Sequence, residues 1–197
     1  GWNTAQNGSG TAYSNQQAVS LTADITLYAQ WSLNTYAITF KAGANGQGSD
    51  QTLNKTHGVT FSMPNSATSN GYFTRTGYTI TGWSTTDGGA QAYALGGNYT
   101  TDASLTVYPV WTASYTVTLN KGANGTGSDQ TLTKLAGTNL TLPNSVTANS
   151  YFTRSGYTVT GWTTTDGGAQ TVALGGTFST DATTTLYPVW TGNSNTV

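Results

Sequence analysis

The feature that most constrains this chain is an internal repeat, because a self-similar array must build every unit from one small supersecondary design. GYTITGW at 77–83 returns as GYTVTGW at 156–162, and TTDGGAQAYALGG at 85–97 returns as TTDGGAQTVALGG at 164–176. GANGQGSDQTL at 43–53 returns as GANGTGSDQTL at 122–132, again at an offset of 79 residues. Residues 36–111 align with 115–190 without a gap, and 48 of the 76 pairs are identical, so the two copies can be compared position by position.

The N-terminus belongs to the same series. GWNTAQNGSGTAYSNQQAVSLTADITLYAQW at 1–31 parallels GWSTTDGGAQAYALGGNYTTDASLTVYPVW at 82–111 with one extra residue. The expected units are therefore 1–31, the back half of a preceding repeat; 32–111, a complete repeat with its core in 36–111; 112–190, a second complete repeat with its core in 115–190; and 191–197, the start of a linker or tail. The opening in mid-repeat leads us to expect an excised or processed fragment. SLNT at 32–35 and TAS at 112–114 are expected as short connectors that restrict one copy against the next. Where the copies differ, Ile38 becomes Val117, Phe40 becomes Leu119, Met63 becomes Leu142 and Ile80 becomes Val159. Apolar exchanges of similar size are what a packed core tolerates, so each copy is expected to hold its own core.

Composition removes whole classes of chemistry. Charged residues make up only 7% of the chain and the net charge is −1, so no electrostatic footprint for nucleic acid exists. There is no cysteine, which excludes disulfides, thiolate catalysis and cysteine metal sites. No apolar run approaches a membrane span, and no signal peptide is visible. Polarity comes from Thr, Asn, Ser, Gln and Gly. Thr and the aromatics suit half-buried strands and Gly suits tight turns, so a mainly β fold is expected.

Period-2 alternation marks the strands. Tyr36, Ile38 and Phe40 read as one strand, and Tyr78–Thr79–Ile80–Thr81 as another. Trp83 is out of phase with Tyr78 and Ile80, which predicts either an opposite-facing Trp or a bulge at Gly82. The last strand places Ile25, Leu27, Ala29 and Trp31 on one face, and Leu105, Val107, Pro109 and Trp111 on one face in the next copy. Pro109 has no N–H for a ladder, so this strand is expected at an edge or bulged. Helical periodicity is absent; at most one short turn per copy is expected, near 64–70 or 92–96. Trp31, Trp83, Trp111, Trp162 and Trp190 are expected to serve the structure, because the area an aromatic buries dominates small cores. Tyr108 and Tyr187 fall on the opposite face and are the candidate ligand contacts.

No catalytic residue, cofactor or metal site is expected. His57 is the one histidine and its counterpart is Ala136, so no repeated site can depend on it. The seven acids are all Asp, each where Asx turns are expected. Asn45 with Asp50, or Asn124 with Asp129, is the best place for calcium, short of the six to eight oxygens such sites need. Lys55 and Lys134 recur, but a covalent Lys–Asn link would need a buried acid beside it.

The opening YxITF, the middle RTGYTITGW and the closing TADITLYAQW resemble the Listeria–Bacteroides repeat, also called the internalin B-repeat. The resemblance covers essentially the whole chain. It implies tandem small β-grasp-like domains, which the residues here lead us to expect with little or no helix, set in an extracellular, cell-surface protein of a bacterium. The implied role is a non-catalytic stalk or spacer of an adhesin. The alternatives are a glycan- or protein-binding module using exposed Tyr and Thr, or a subunit that pairs strands into a fibre. Expected partners are neighbouring repeats, with host or surface glycans or proteins as further candidates; nucleic acid and membrane insertion are not expected.

Overall fold

The computed structural model describes residues 1–194, and they are mainly β; the rest of the expected tail, 195–197, lies outside them. In the first complete repeat Thr35–Phe40 forms an antiparallel hairpin with Gln51–Thr56, in the register Ile38↔Leu53. A seven-residue helix, Ser66–Tyr72, follows. Tyr78–Ser84 then pairs with the short Tyr93–Ala94 and with the closing strand, which returns parallel to Thr35–Phe40 in the register Leu105↔Ile38 to Val107↔Phe40. The second repeat repeats this layout. Gln130–Leu135 pairs with the opening strand, Ser145–Tyr151 is the helix, and Thr184–Gly192 runs parallel to the opening strand through Val117↔Thr184 to Leu119↔Leu186.

Each helix lies at the first of the two expected places, just after Pro64 or Pro143, but its seven residues exceed the single turn expected there. One small residue marks its buried side, Ser69 in the first copy and Ala148 in the second. In the second copy Asn144 caps the helix by accepting from the Thr147 N–H, which satisfies an otherwise orphaned donor. The aromatic that follows each helix, Phe73 or Phe152, is buried in the core.

Two separate cores form. Ile38, Phe40, Met63, Phe73, Ile80, Trp83, Tyr99 and Val107 are buried in the first. Their counterparts Val117, Leu119, Leu142, Phe152, Val159, Trp162, Phe178 and Leu186 are buried in the second. Trp83 and Trp162 are fully enclosed, and each indole N–H donates to a proline carbonyl, Pro64 or Pro143. The phase problem at Trp83 is solved by a bulge. Ile80 pairs with Trp111 and Gly82 with Val110, leaving Thr81 as the extra residue. One added residue turns a spacing of three into a same-face pair, so Ile80 and Trp83 both reach the core.

Because every residue of the first cluster lies within 36–111, this segment expressed alone should show a β spectrum and a cooperative melt. A random-coil spectrum would show that the unit depends on its neighbour.

Three expectations are corrected. Thr112, Ala113 and Ser114 are no connector: they lie in the middle of one strand, Leu105–Leu119, that closes the first repeat and opens the second. Thr112 and Ala113 pair with Thr79 and Tyr78 of the first repeat, while Ser114 pairs with Leu135 of the second. Likewise Thr191 and Gly192 are not tail but strand, paired with Thr158 and Tyr157. The closing strand is also central in its sheet, not at the edge, although the alternative expected for it is approached: its pairing shifts register just past Pro109, between Val110 and Trp111. Pro109 is accommodated because the parallel pairing ends at Val107, two residues earlier, so Pro109 has a ladder partner on one side only, at Trp83.

The third correction concerns residues 1–31. Trp2–Asn3, Ala12–Tyr13 and Tyr28–Ala29 make a small three-stranded sheet, and Ile25 and Trp31 do not form a buried face. Trp31 is 92% exposed, so it does not act as a core residue here. Its counterpart Trp111 is covered by the glycine turn at 43–46 and by the strand from Tyr78, and neither has a counterpart within 1–31.

Candidate functional site

Two constellations recur in both complete repeats. The first is a shallow cleft where four chain segments meet. In the first repeat Asn45, Arg75, Asp87, Gly88, Gly89, Pro109, Val110 and Trp111 enclose about 210 Å³. In the second the counterparts Asn124, Arg154, Asp166, Gly167, Gly168, Pro188, Val189 and Trp190 enclose about 180 Å³. All eight residue types are identical between the copies.

Local chemistry builds the cleft. The glycine turn carries Gly43 at a φ of +71°, open to a residue without a Cβ. Asp87 from the DGG turn lies against that glycine and accepts the Ala44 N–H at 2.7 Å, tying the two turns together. Asp166 does the same to Ala123, also at 2.7 Å. A Cβ on Gly46 would stand 3.1 Å from Cζ2 of Trp111, so the indole edge rests on the turn. The rest of Trp111 and of Trp190 is partly accessible. Arg75 lays its guanidinium 3.6 Å over the Tyr78 ring, and Arg154 lies 3.8 Å over Tyr157. Stacking of this kind holds the planar fork in place while leaving its N–H donors free at the rim. A second hollow of about 300 Å³, lined by Phe73, Thr74, Thr76 and Thr79 among others, continues from Arg75 and Trp111 on the other side.

The second constellation is an ion pair on an edge strand. Lys55 is 1% exposed, and its Nζ lies 2.5 Å from Oδ1 of Asp102, which is 28% exposed. Asp102 also accepts the Gly58 N–H and stands 2.9 Å from Nδ1 of His57. Lys134 repeats the pair with Asp181, which accepts the Gly137 N–H, with Ala136 where His57 stood. The Lys55 hydrogen bond chiefly, and then the Gly58 N–H, hold the Asp102 carboxyl below its ordinary value; Lys134 and then Gly137 act alike on Asp181. An inward-pointing charge is also a known guard on an exposed strand edge.

The sequence candidates are distributed unevenly over these features. Trp111 and Trp190, expected as structural, wall the clefts. Tyr108 and Tyr187, expected as ligand contacts, are only half-buried and line neither cleft. The bulge lies on the neighbouring strand at Thr81, and Pro109, Val110 and Trp111 border the cleft in their place. Asn45 and Asn124 line the clefts, whereas Asp50 and Asp129 turn back to the main chain at Ala42 and Lys121. Arg75 and Arg154 carry no site signal in the strand and turn pattern, and Asp102 and Asp181, expected as Asx-turn residues, are the partners of Lys55 and Lys134. The recurrence of Arg-x-Gly-Tyr was the available signal for the arginines.

The Listeria-Bacteroides repeat domain matches the chain three times, over residues 1–30, 36–110 and 115–189. A Gly-rich membrane protein of Evansella cellulosilytica is 33% identical over 120 residues, covering 56% of this chain. The match takes in 13% of that relative, so the chain spans a small part of its length. No solved structure matches. No helix among the described residues is long and apolar enough to cross a membrane. Repeats of this kind occur in bacterial surface proteins. Matched in tandem over most of its length, the chain belongs to the Listeria-Bacteroides repeat family.

Proposed function

We propose that this chain is a non-catalytic spacer segment of a bacterial cell-surface protein, forming part of an extracellular stalk that sets an adhesive head away from the cell. The observation that supports it most is the strand Leu105–Leu119, which belongs to both repeats. Fifteen residues of strand extend about 50 Å, and the junction has no unpaired hinge. Ser114 N–H donates to the Gly77 carbonyl of the first repeat, and the Ala113 carbonyl accepts from Ala136 of the second. A spacer needs such stiffness, since a flexible tether would let its two ends approach each other. At the far end Asn193 N–H donates to the Gly156 carbonyl, the same bond one repeat on, so the exit is already shaped for another unit. Each repeat in this reading is a β-grasp-like module, a reading supported by the parallel pairing of its first and last strands. Pairing into fibres is less well supported, because the edge strand Gln51–Thr56 carries the inward Lys55.

The absence of cysteine makes the test clean. Thr52→Cys and Thr131→Cys place spin labels at equivalent exposed positions of successive repeats. The expected result is one narrow inter-label distance, broadened when a Gly-Ser-Gly insertion follows Ala113. A broad distribution in the uninterrupted chain would refute the spacer reading.

A further inference from the structure

We propose that the twin clefts are saccharide subsites, each taking one ring of a neutral oligosaccharide. The partly accessible indole of Trp111 offers an apolar wall of the kind on which the C–H face of a pyranose packs. Around it stand a donor, Arg75, an acceptor, Asp87, and a side chain that does both, Asn45. One carboxylate oxygen of Asp87 is used on Ala44, but a carboxylate has about four lone-pair sites and keeps acceptor capacity. Vicinal hydroxyls need this mixture, since each both donates and accepts.

Charge narrows the class further. One guanidinium and one carboxylate face the same cleft, so it carries no net charge and gains nothing from an anionic or cationic ligand. Volume narrows it again. The clefts of about 210 and 180 Å³ fall below the ~300–1,000 Å³ of ordinary small-molecule pockets, which suits a single ring held weakly. The shared strand supplies the rest. Two weak subsites at a fixed separation bind a long polysaccharide with an avidity that neither has alone. The core beneath the clefts exchanges Ile for Val and Phe for Leu between repeats, whereas the eight lining residues do not change.

The test is calorimetric titration of the whole chain with cellohexaose, maltohexaose, laminarihexaose and mannohexaose, with hexagalacturonate and fully deacetylated chitohexaose as charged controls. At least one neutral hexasaccharide should bind with a Kd on the order of a millimolar, at two sites per chain. Trp111→Ala would endanger the fold, so the cleft is probed through residues that belong to neither core. Asn45→Ala with Arg75→Ala should halve the stoichiometry. Adding Asn124→Ala with Arg154→Ala should abolish binding while the melting curve stays in place. No heat from any neutral probe at about 10 mM, an order of magnitude above that Kd, overturns the proposal. So does binding that survives the four substitutions, or tighter binding of either charged control.

Discussion

Trp83→Ala should unfold the first repeat, or leave it close to unfolding, while the second repeat melts nearly as before. Trp83 has no exposed surface, packs edge-on against Phe40 with ring centroids 4.8 Å apart, and is the largest side chain in its core. Removing a buried Trp costs about 3–5 kcal/mol. Native domains hold about 5–15 kcal/mol in total, and small ones lie at the low end. The effect should stay local because the two cores share no residue. Calorimetry should therefore resolve a lost or early transition beside a late one, and Trp162→Ala should give the mirror image. Trp31→Ala is the control: at 92% exposure, its loss should change stability by less than about 0.5 kcal/mol. Equal damage from Trp31 and Trp83 would contradict the burial pattern described above.

That contrast shows where a repeat is readable and where it is not. Alternation marks the strands that contain Tyr36, Tyr78 and Leu105, because side-chain period is a local property. The wrong phase of Trp83 allows an opposite-facing Trp or a bulge at Gly82, and the bulge forms one residue earlier, at Thr81. Trp31 carries the same local signal as Trp111, but its burial depends on a cover supplied by the other half of a repeat. The helices left no period because seven mostly small or polar residues, too few for two full apolar turns, make no apolar stripe. Thr112–Ala113–Ser114 read as a connector because nothing in three small residues tells of partners on both sides. The cleft was illegible for a related reason. Asn45, Arg75, Asp87 and Trp111 come from four segments, and each has an ordinary role in its own turn or strand. Asp102 looked like an Asx-turn residue, since its partner Lys55 is 47 positions away.

Asp102→Asn and Asp181→Asn together should lower the melting temperature at neutral pH by on the order of ten degrees, and Lys55→Met with Lys134→Met should lower it far less. The asymmetry follows from burial. Lys55 is enclosed, and among the described residues its ammonium meets, besides Asp102, the Thr56 carbonyl at 3.4 Å and the face of the Tyr36 ring at 5.8 Å. Removing the carboxylate strands a charge away from water. Removing the ammonium leaves Asp102, which is partly in solvent and still bound by the Gly58 N–H. The pH dependence has a definite sign. Both carboxyls are held below their ordinary value of 3.8 in the folded chain, so between the lowered value and 3.8 the unfolded chain binds more protons. Stability from these pairs is therefore complete above the ordinary value and is lost as pH falls through the lowered one. Thermal melts from pH 6 downward should show the wild-type chain losing stability below about pH 4, while the doubly amidated variant, already less stable, loses the part of that slope due to these two groups. An acid limb of the same steepness in both proteins would mean that the Lys–Asp pairs do not contribute to the fold's stability.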